Sequence, residues 1–162
     1  MPVSQADTAT TVASTGTYDV ARFGIEGRSV RDAAAFVRDK MDLQVSYLGT
    51  LRPDGAPRVN PVTPWFTAGR LFIRMYPGSV KVKALQRDPR FSLHSSVPDD
   101  DGTGGEALLF GTARVVEDPE LLAEANAERS NPERYVVLEF EVDEAMSTVY
   151  EGDETTRLRW PG

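Results

Sequence analysis

The sequence predicts an antiparallel β-sheet closed into a barrel, with a few short helices at its margins. Three observations predict it. Six or more strand-like stretches are joined by links of hairpin length. Helical patterns do not alternate regularly with those stretches, which argues against a doubly wound parallel sheet. The length, 162 residues, suits one domain, since ~100–200 residues per domain is usual.

Taken in chain order, the first 17 positions are small and polar (Ser4, Thr8, Thr10, Thr11, Ser14, Thr15) and read as a flexible tail before a single domain over residues 18–162. Ser29 with Asp32 resembles a capping box, and Val30, Ala33, Ala34, Val37 and Met41 share one face of the helix that would follow. Gln44–Leu51 and Ala56–Phe66 then flank Arg52-Pro53-Asp54-Gly55, which places Pro and Gly where a turn wants them. Leu71–Met75 follows a small turn at Ala68-Gly69. A second helix starts at Ser79 and stops before Asp88-Pro89, because the residue before proline is pushed out of the helical region. Strands follow at Phe91–Val97 and Ala107–Val116, separated by a solvated loop over Pro98–Gly105. A third helix starts at Asp118 with Pro119 in first position and is expected to end near Asn131-Pro132. Tyr135–Val142 is a further strand, with weaker stretches near Thr148–Tyr150 and Thr155–Trp160.

Composition excludes several kinds of chemistry. The chain has 18 basic and 25 acidic residues, and the net charge of −7 argues against a nucleic-acid partner. It has no cysteine, which removes disulfides, thiolate metal sites and cysteine nucleophiles. His94 is the single histidine, so no multi-histidine metal site forms within one chain. No apolar run approaches the ~20 residues of a membrane span. Residues 1–16 carry neither a basic start nor an apolar block, so no secretory signal is read there. A cytoplasmic protein without membrane contact is the expectation.

Two motifs fail on context. Gly102-Thr103-Gly104-Gly105-Glu106-Ala107 matches a dinucleotide fingerprint in form, but strand residues follow it where a helix N-terminus is needed, and three aspartates precede it. The same acidic run is not a calcium loop, because Val97 and Leu108 would occupy its first and twelfth positions. A Gly-x-Ser-x-Gly elbow is absent.

Two segments survive. Ser79-Val80-Lys81-Val82-Lys83 opens a helix after a strand and a Tyr76-Pro77-Gly78 turn, which places a hydroxyl, free N–H groups and ammonium groups where a phosphate is well matched. The plain reading is an N-cap serine with two solvated lysines. In Ala56–Trp65, three prolines remove ladder donors, so this strand belongs at an edge, a bulge or a split. Alternation puts Arg58, Asn60, Val62 and Phe66 on one face and Val59, Thr63 and Trp65 on the other. The Arg58/Asn60 face could receive a heteroaromatic ring; the plain reading is a solvated edge strand.

The ordered series Leu48–Val59, Gly69–Ile73, Ser79-Val80-Lys81, Arg87–Leu93 and Phe110–Val116 resembles the pyridoxamine 5'-phosphate oxidase-like, FMN-binding split β-barrel proteins, with their deazaflavin-dependent relatives. The resemblance covers about half the chain, Val45–Val116. It implies a homodimer with a cofactor in each of two grooves at the subunit interface. It implies that Arg58, Val59, Asn60, Pro61, Val62 and Thr63 lie along the ring and ribityl chain, and that Ile73, Arg74, Ser79, Val80, Lys81 and Lys83 surround the phosphate. His94, Ser95 and Ser96 would approach the ring, and Trp160, Arg157 or Arg159 would reach in from the partner subunit. True pyridoxamine 5'-phosphate oxidases have a basic residue where this chain has Thr63, Arg where it has Val80, and a C-terminal Arg–His pair that Thr156–Trp160 lacks. These departures argue against oxidation of a vitamin phosphate. Arg58, Arg74, Lys81 and Lys83 would still serve FMN or the longer tail of a deazaflavin.

The resemblance therefore implies an FMN- or deazaflavin-dependent oxidoreductase that transfers hydride to or from a small molecule. A flavin- or haem-binding store or sensor is the alternative, with His94 as the haem ligand. The residues have plain alternatives too: His94 as a structural hydrogen-bonding residue, Trp65 and Phe66 as core or interface anchors, and Arg114 paired with Glu117 or another surface acid.

Overall fold

A computed structural model describes residues 37–102, 104–151 and 153–160. The tail expected over residues 1–17 and the capping box at Ser29 lie outside them. Residues 37–41 are helical, and Val37 and Met41 are fully buried, as their shared face requires. The strands are β1 (Ser46–Leu51), β2 (Pro57–Val62), β3 (Trp65–Thr67), β4 (Arg70–Met75), β5 (Arg90–Ser95), β6 (Glu106–Val115), β7 (Val136–Glu151) and β8 (Glu154–Trp160). Helix α1 (Val80–Arg87) joins β4 to β5, and α2 (Pro119–Asn126) precedes β7. Among the described residues, no helix is long and apolar enough to cross a membrane.

All strand pairs are antiparallel, in the order β2-β1-β5-β6-β7-β4-β3, with β8 on the second half of β7. The two ends of that order, β2 and β3, are consecutive in the chain and joined by Thr63 and Pro64 alone. A two-residue link cannot span a flat sheet of this width, so the sheet curls until its edges meet. The result is a barrel, split between β2 and β3. The continuous strand expected over Ala56–Phe66 is thus two strands on opposite edges. Pro57 and Pro61 have no N–H to give to a ladder, and they sit on the edge strand, where none is asked for.

The β1–β2 turn forms as its residues dictate. Gly55 takes φ 81°, its N–H donates to Arg52 O at 2.9 Å, and Arg52 Nη2 pairs with Asp54 Oδ2 at 2.9 Å. The stretches expected at Tyr135–Val142 and Thr148–Tyr150 are one long strand, because β6 supports it continuously apart from a bulge between Phe110 and Gly111. Helix α1 starts and stops as expected, with Ser79 Oγ accepting from Val82 N at 3.4 Å and Asp88 as C-cap. Helix α2 has the expected start, Asp118 Oδ1 accepting from Leu121 N at 2.8 Å, but ends five residues short of Asn131. Beyond Ala125, its last buried side chain, nothing apolar anchors a further turn, and the chain loosens through short-range bonds such as Arg129 N to Asn126 O.

Two apolar clusters result. The barrel interior holds Leu48, Leu71, Ile73, Leu93, Leu109, Leu138 and Phe140, among others. Outside the barrel wall, α2 covers Trp65, Phe72, Val116 and Val137, and Trp65 Nε1 donates to Ala125 O at 3.1 Å. Glu139, on the outer face of β7, has only 1% of its side chain exposed. Its Oε1 accepts from Arg70 Nη1 at 2.9 Å and its Oε2 from Arg114 Nη2 at 2.6 Å. Arg114 therefore pairs with a buried acid, not with Glu117 or another surface carboxylate. Strand register explains it: Glu139 lies directly opposite Arg114 across β6–β7.

Candidate functional site

The closure of the barrel creates a cavity at its seam. It measures about 260 Å³ and is lined by Leu43, Thr63, Trp65, Arg74, Arg129 and Tyr135. Thr63 belongs to the crossing segment, Trp65 opens β3, and Arg74 is on β4 beside it. Leu43, at φ 56°, is held by its N–H to Pro64 O at 2.8 Å, which pins the crossing segment to the end of the first helix.

The electrostatics of this cavity are cationic. The Arg74 guanidinium lies 4.5 Å from the Tyr135 ring centroid and donates from Nη1 to Ser130 O at 2.9 Å. The Arg129 guanidinium lies 5.5 Å from the Trp65 ring centroid. Among the described residues, no carboxylate pairs with either one. A tyrosine stack runs outward from the cavity: Tyr76 packs on Tyr135 with centroids 5.0 Å apart, and hydrogen bonding to Tyr135 raises the Tyr76 phenol above its usual value.

Each residue expected to hold a cofactor has a definite place. Thr63 and Arg74 line the cavity. Arg58 and Asn60 are half-buried on the Leu48/Val62 face of the sheet, while Val59 and Pro61 face outward. Asn60 Oδ1 is buried without a hydrogen-bond partner. Val62 and Ile73 belong to the barrel core, so they could offer a ligand only backbone. Ser79, Lys81 and Lys83 sit at the start of α1, after the turn that carries Tyr76, and do not line the cavity; Val80 is 54% exposed.

His94 lies on the outer face of β5, opposite Tyr47 on β1. Its Nδ1 is 2.6 Å from Ser95 O, which makes that nitrogen the donor, and its Nε2 is 3.4 Å from Glu106 Oε2. Trp160 ends β8 opposite Ala145, Arg157 is exposed, and Arg159 pairs with Glu144 at 2.7 Å. Trp65 and Phe66 are anchors, Trp65 under α2 and Phe66 against the barrel core. No group of three or more metal-ligating side chains occurs among the described residues. Arg129 and Tyr135 were not among the expected site residues. The only sequence signal for them is a basic and an aromatic residue flanking Asn131-Pro132, which carries no motif.

The fold has counterparts among solved structures, all at identities that speak for the fold alone. A conserved hypothetical protein from Mycobacterium tuberculosis superposes with TM-score 0.60 at 22% identity, over 78% of this chain and 86% of that one. A heme binding protein from Mycobacterium smegmatis gives 0.62 at 20%, over 82% of this chain and 59% of that one. A NimC/NimA family protein from Clostridium acetobutylicum gives 0.54 at 20%, over 80% and 90%. No curated protein matches the chain. The sequence model of the family called pyridoxamine 5'-phosphate oxidase matches residues 32–148, which takes in β1 to β6, α1, α2 and most of β7. A match over that span, on a split antiparallel barrel, makes this chain a member of the pyridoxamine 5'-phosphate oxidase-like family.

Proposed function

We propose that the protein is an oxidoreductase that uses FMN or a deazaflavin, bound at the barrel seam between two copies of the chain. Members of the family generally bind FMN. The observation that carries the reading is the cationic cavity beside an unpaired sheet edge: Thr63 and Arg74 face the seam, and β2 leaves one side of its backbone free of sheet partners. These residues fit the anionic end of such a coenzyme. The cavity volume is below the ~300–1,000 Å³ usual for a complete small-molecule site, so one chain encloses only part of a flavin-sized ligand. The remaining wall is assigned to a second copy. The outer face of β1 and β2 offers the surface for it, with Val45, Tyr47 and Val59 exposed around Gly49.

The hydride chemistry would belong to the ring system of the bound coenzyme. The chain's part is to bind, orient and keep water out. Arg74 would hold the phosphate with its fork of N–H donors, and the Thr63 hydroxyl adds a short polar contact. Lys81 and Lys83 would raise the local positive potential from the start of α1. Arg58 would stabilise negative charge on a reduced ring. Uncharged positions at Thr63 and Val80 argue against a vitamin phosphate as substrate and for a small neutral or aromatic molecule. A storage or sensing protein would use the same seam. In the haem version, His94 would first have to give up its contact with Glu106.

The test is the absorption spectrum and mass of the small molecule that co-purifies, followed by fluorescence titration with FMN and with a deazaflavin. Uptake of one of them is expected, with Arg74→Ala weakening it by ~1.5–3 kcal/mol, the range for a hydrogen bond to a charged group. A colourless protein that takes up neither overturns the reading. Reoxidation of the bound reduced coenzyme by an added acceptor separates an enzyme from a store.

A further inference from the structure

We infer that Arg129, in the loop between α2 and β7, is the second half of a phosphate clamp with Arg74 and makes the seam select a phosphorylated coenzyme over its dephosphorylated form. The inference rests on the coenzyme reading above and assigns a residue that reading does not need. Arg52, Arg70, Arg90, Arg114 and Arg159 each hold a carboxylate within 2.9 Å. Among the described residues Arg74 and Arg129 hold none, and they line one cavity of about 260 Å³. Two like charges lining one cavity repel each other. An anion between them turns that repulsion into attraction.

The geometry prepares both groups for such an anion. Each guanidinium lies over an aromatic ring, Tyr135 for Arg74 and Trp65 for Arg129, which fixes its plane and leaves N–H edges available. Arg74 also donates to the carbonyl of Ser130, the residue after Arg129, so the loop is tied to β4 and the two arginines are held in register. On its other side Arg129 borders a second cavity that includes Asp42, Glu124 and Glu128, none of them within ion-pairing distance. Asp42 is already occupied, accepting from Phe66 N at 2.9 Å. Those carboxylates repel an anion on that side, which leaves the Arg74 side as its place. Thr63 contributes only a hydroxyl there, so the positive charge of the cavity comes from Arg74 and Arg129.

The experiment compares FMN with riboflavin, which lacks the phosphate, by fluorescence titration of wild type, Arg129→Ala and Arg129→Gln. Wild type is expected to prefer FMN. Both variants should lose about 10- to 100-fold in FMN affinity and leave riboflavin affinity unchanged, which also shows that the groove is intact. Thr63→Lys in the Arg129→Ala background should restore FMN binding by returning the charge to the same cavity. A wild type that binds FMN and riboflavin equally overturns the inference alone, whereas one that takes up neither FMN, riboflavin nor a deazaflavin overturns the coenzyme reading as well. A preference that survives in both variants overturns the inference alone. Equal loss of both ligands in both variants also overturns it, since Arg129 would then act on the fold.

Discussion

Val62 and Trp65 are separated by only Thr63 and Pro64, yet they lie on the two opposite edges of one sheet. That crossing closes the barrel. It also brings the seam-facing Thr63 next to Arg74, so the candidate site is a direct consequence of how the sheet shuts.

The exposed apolar face of β1 and β2 is expected to be covered by a second copy. Val59 is 65% exposed and makes no contribution to the barrel core. Val59→Asp should therefore shift sedimentation from dimer to monomer while the far-UV circular dichroism of the barrel stays that of wild type. A wild type that sediments as a monomer at micromolar concentration would rule out the shared site.

Gly111 marks the bulge in β6. A Cβ there would lie 1.8 Å from the backbone oxygen of Glu141, and a main-chain atom cannot swing aside. Gly111→Ala should cost about 3 kcal/mol or more in urea denaturation, at or above the upper end for overpacking. Gly49→Ala is the control. Its Cβ would meet the Ser92 hydroxyl at 2.3 Å, and a rotamer change relieves that contact.

Removing the Glu139 carboxylate should take one ion-pair partner from Arg70 and one from Arg114 at the barrel wall. Glu139→Ala is expected to lose about 1.5–3 kcal/mol in chemical denaturation, the range for a hydrogen bond to a charged group. Arg114→Ala should lose about 1 kcal/mol or less, because that side chain is 63% exposed and Glu139 keeps Arg70. Equal losses in the two variants would contradict the asymmetric burial of the triad.

Asp88 gives the fold a defined acid dependence. The Arg90 side chain, bonded through Nη2 at 2.6 Å and Nε at 2.9 Å, with help from the Arg90 backbone N–H, pulls its carboxyl down to about 2. A carboxyl more acidic folded than unfolded stabilises the fold above its unfolded pKa of about 3.9, and that stabilisation is lost as pH falls toward 2. Asp88→Asn should thus melt below wild type near neutral pH, and the gap should close as pH falls from about 4 to 2. A gap that persists in acid would mean that the Asp88 charge is not its source.

Local chemistry made much of this protein legible from its residues. Ser79, Asp118 and Pro119 announce helix starts, Pro53 and Gly55 a turn, and three prolines an edge. The order of those pieces identifies the family. What they could not show is anything set by distant strands meeting. The break at Thr63-Pro64 looks like continuous strand until both halves find different neighbours. Arg114 looks like a surface charge until register puts it opposite Glu139. Arg129 and Tyr135 reach the seam only because β7 pairs with β4 and carries the preceding loop back over Arg74. Caps, turns and prolines act within a few residues, so the sequence by itself determined them. A cavity is shaped by segments far apart in the chain, and only tertiary structure decides which of them meet.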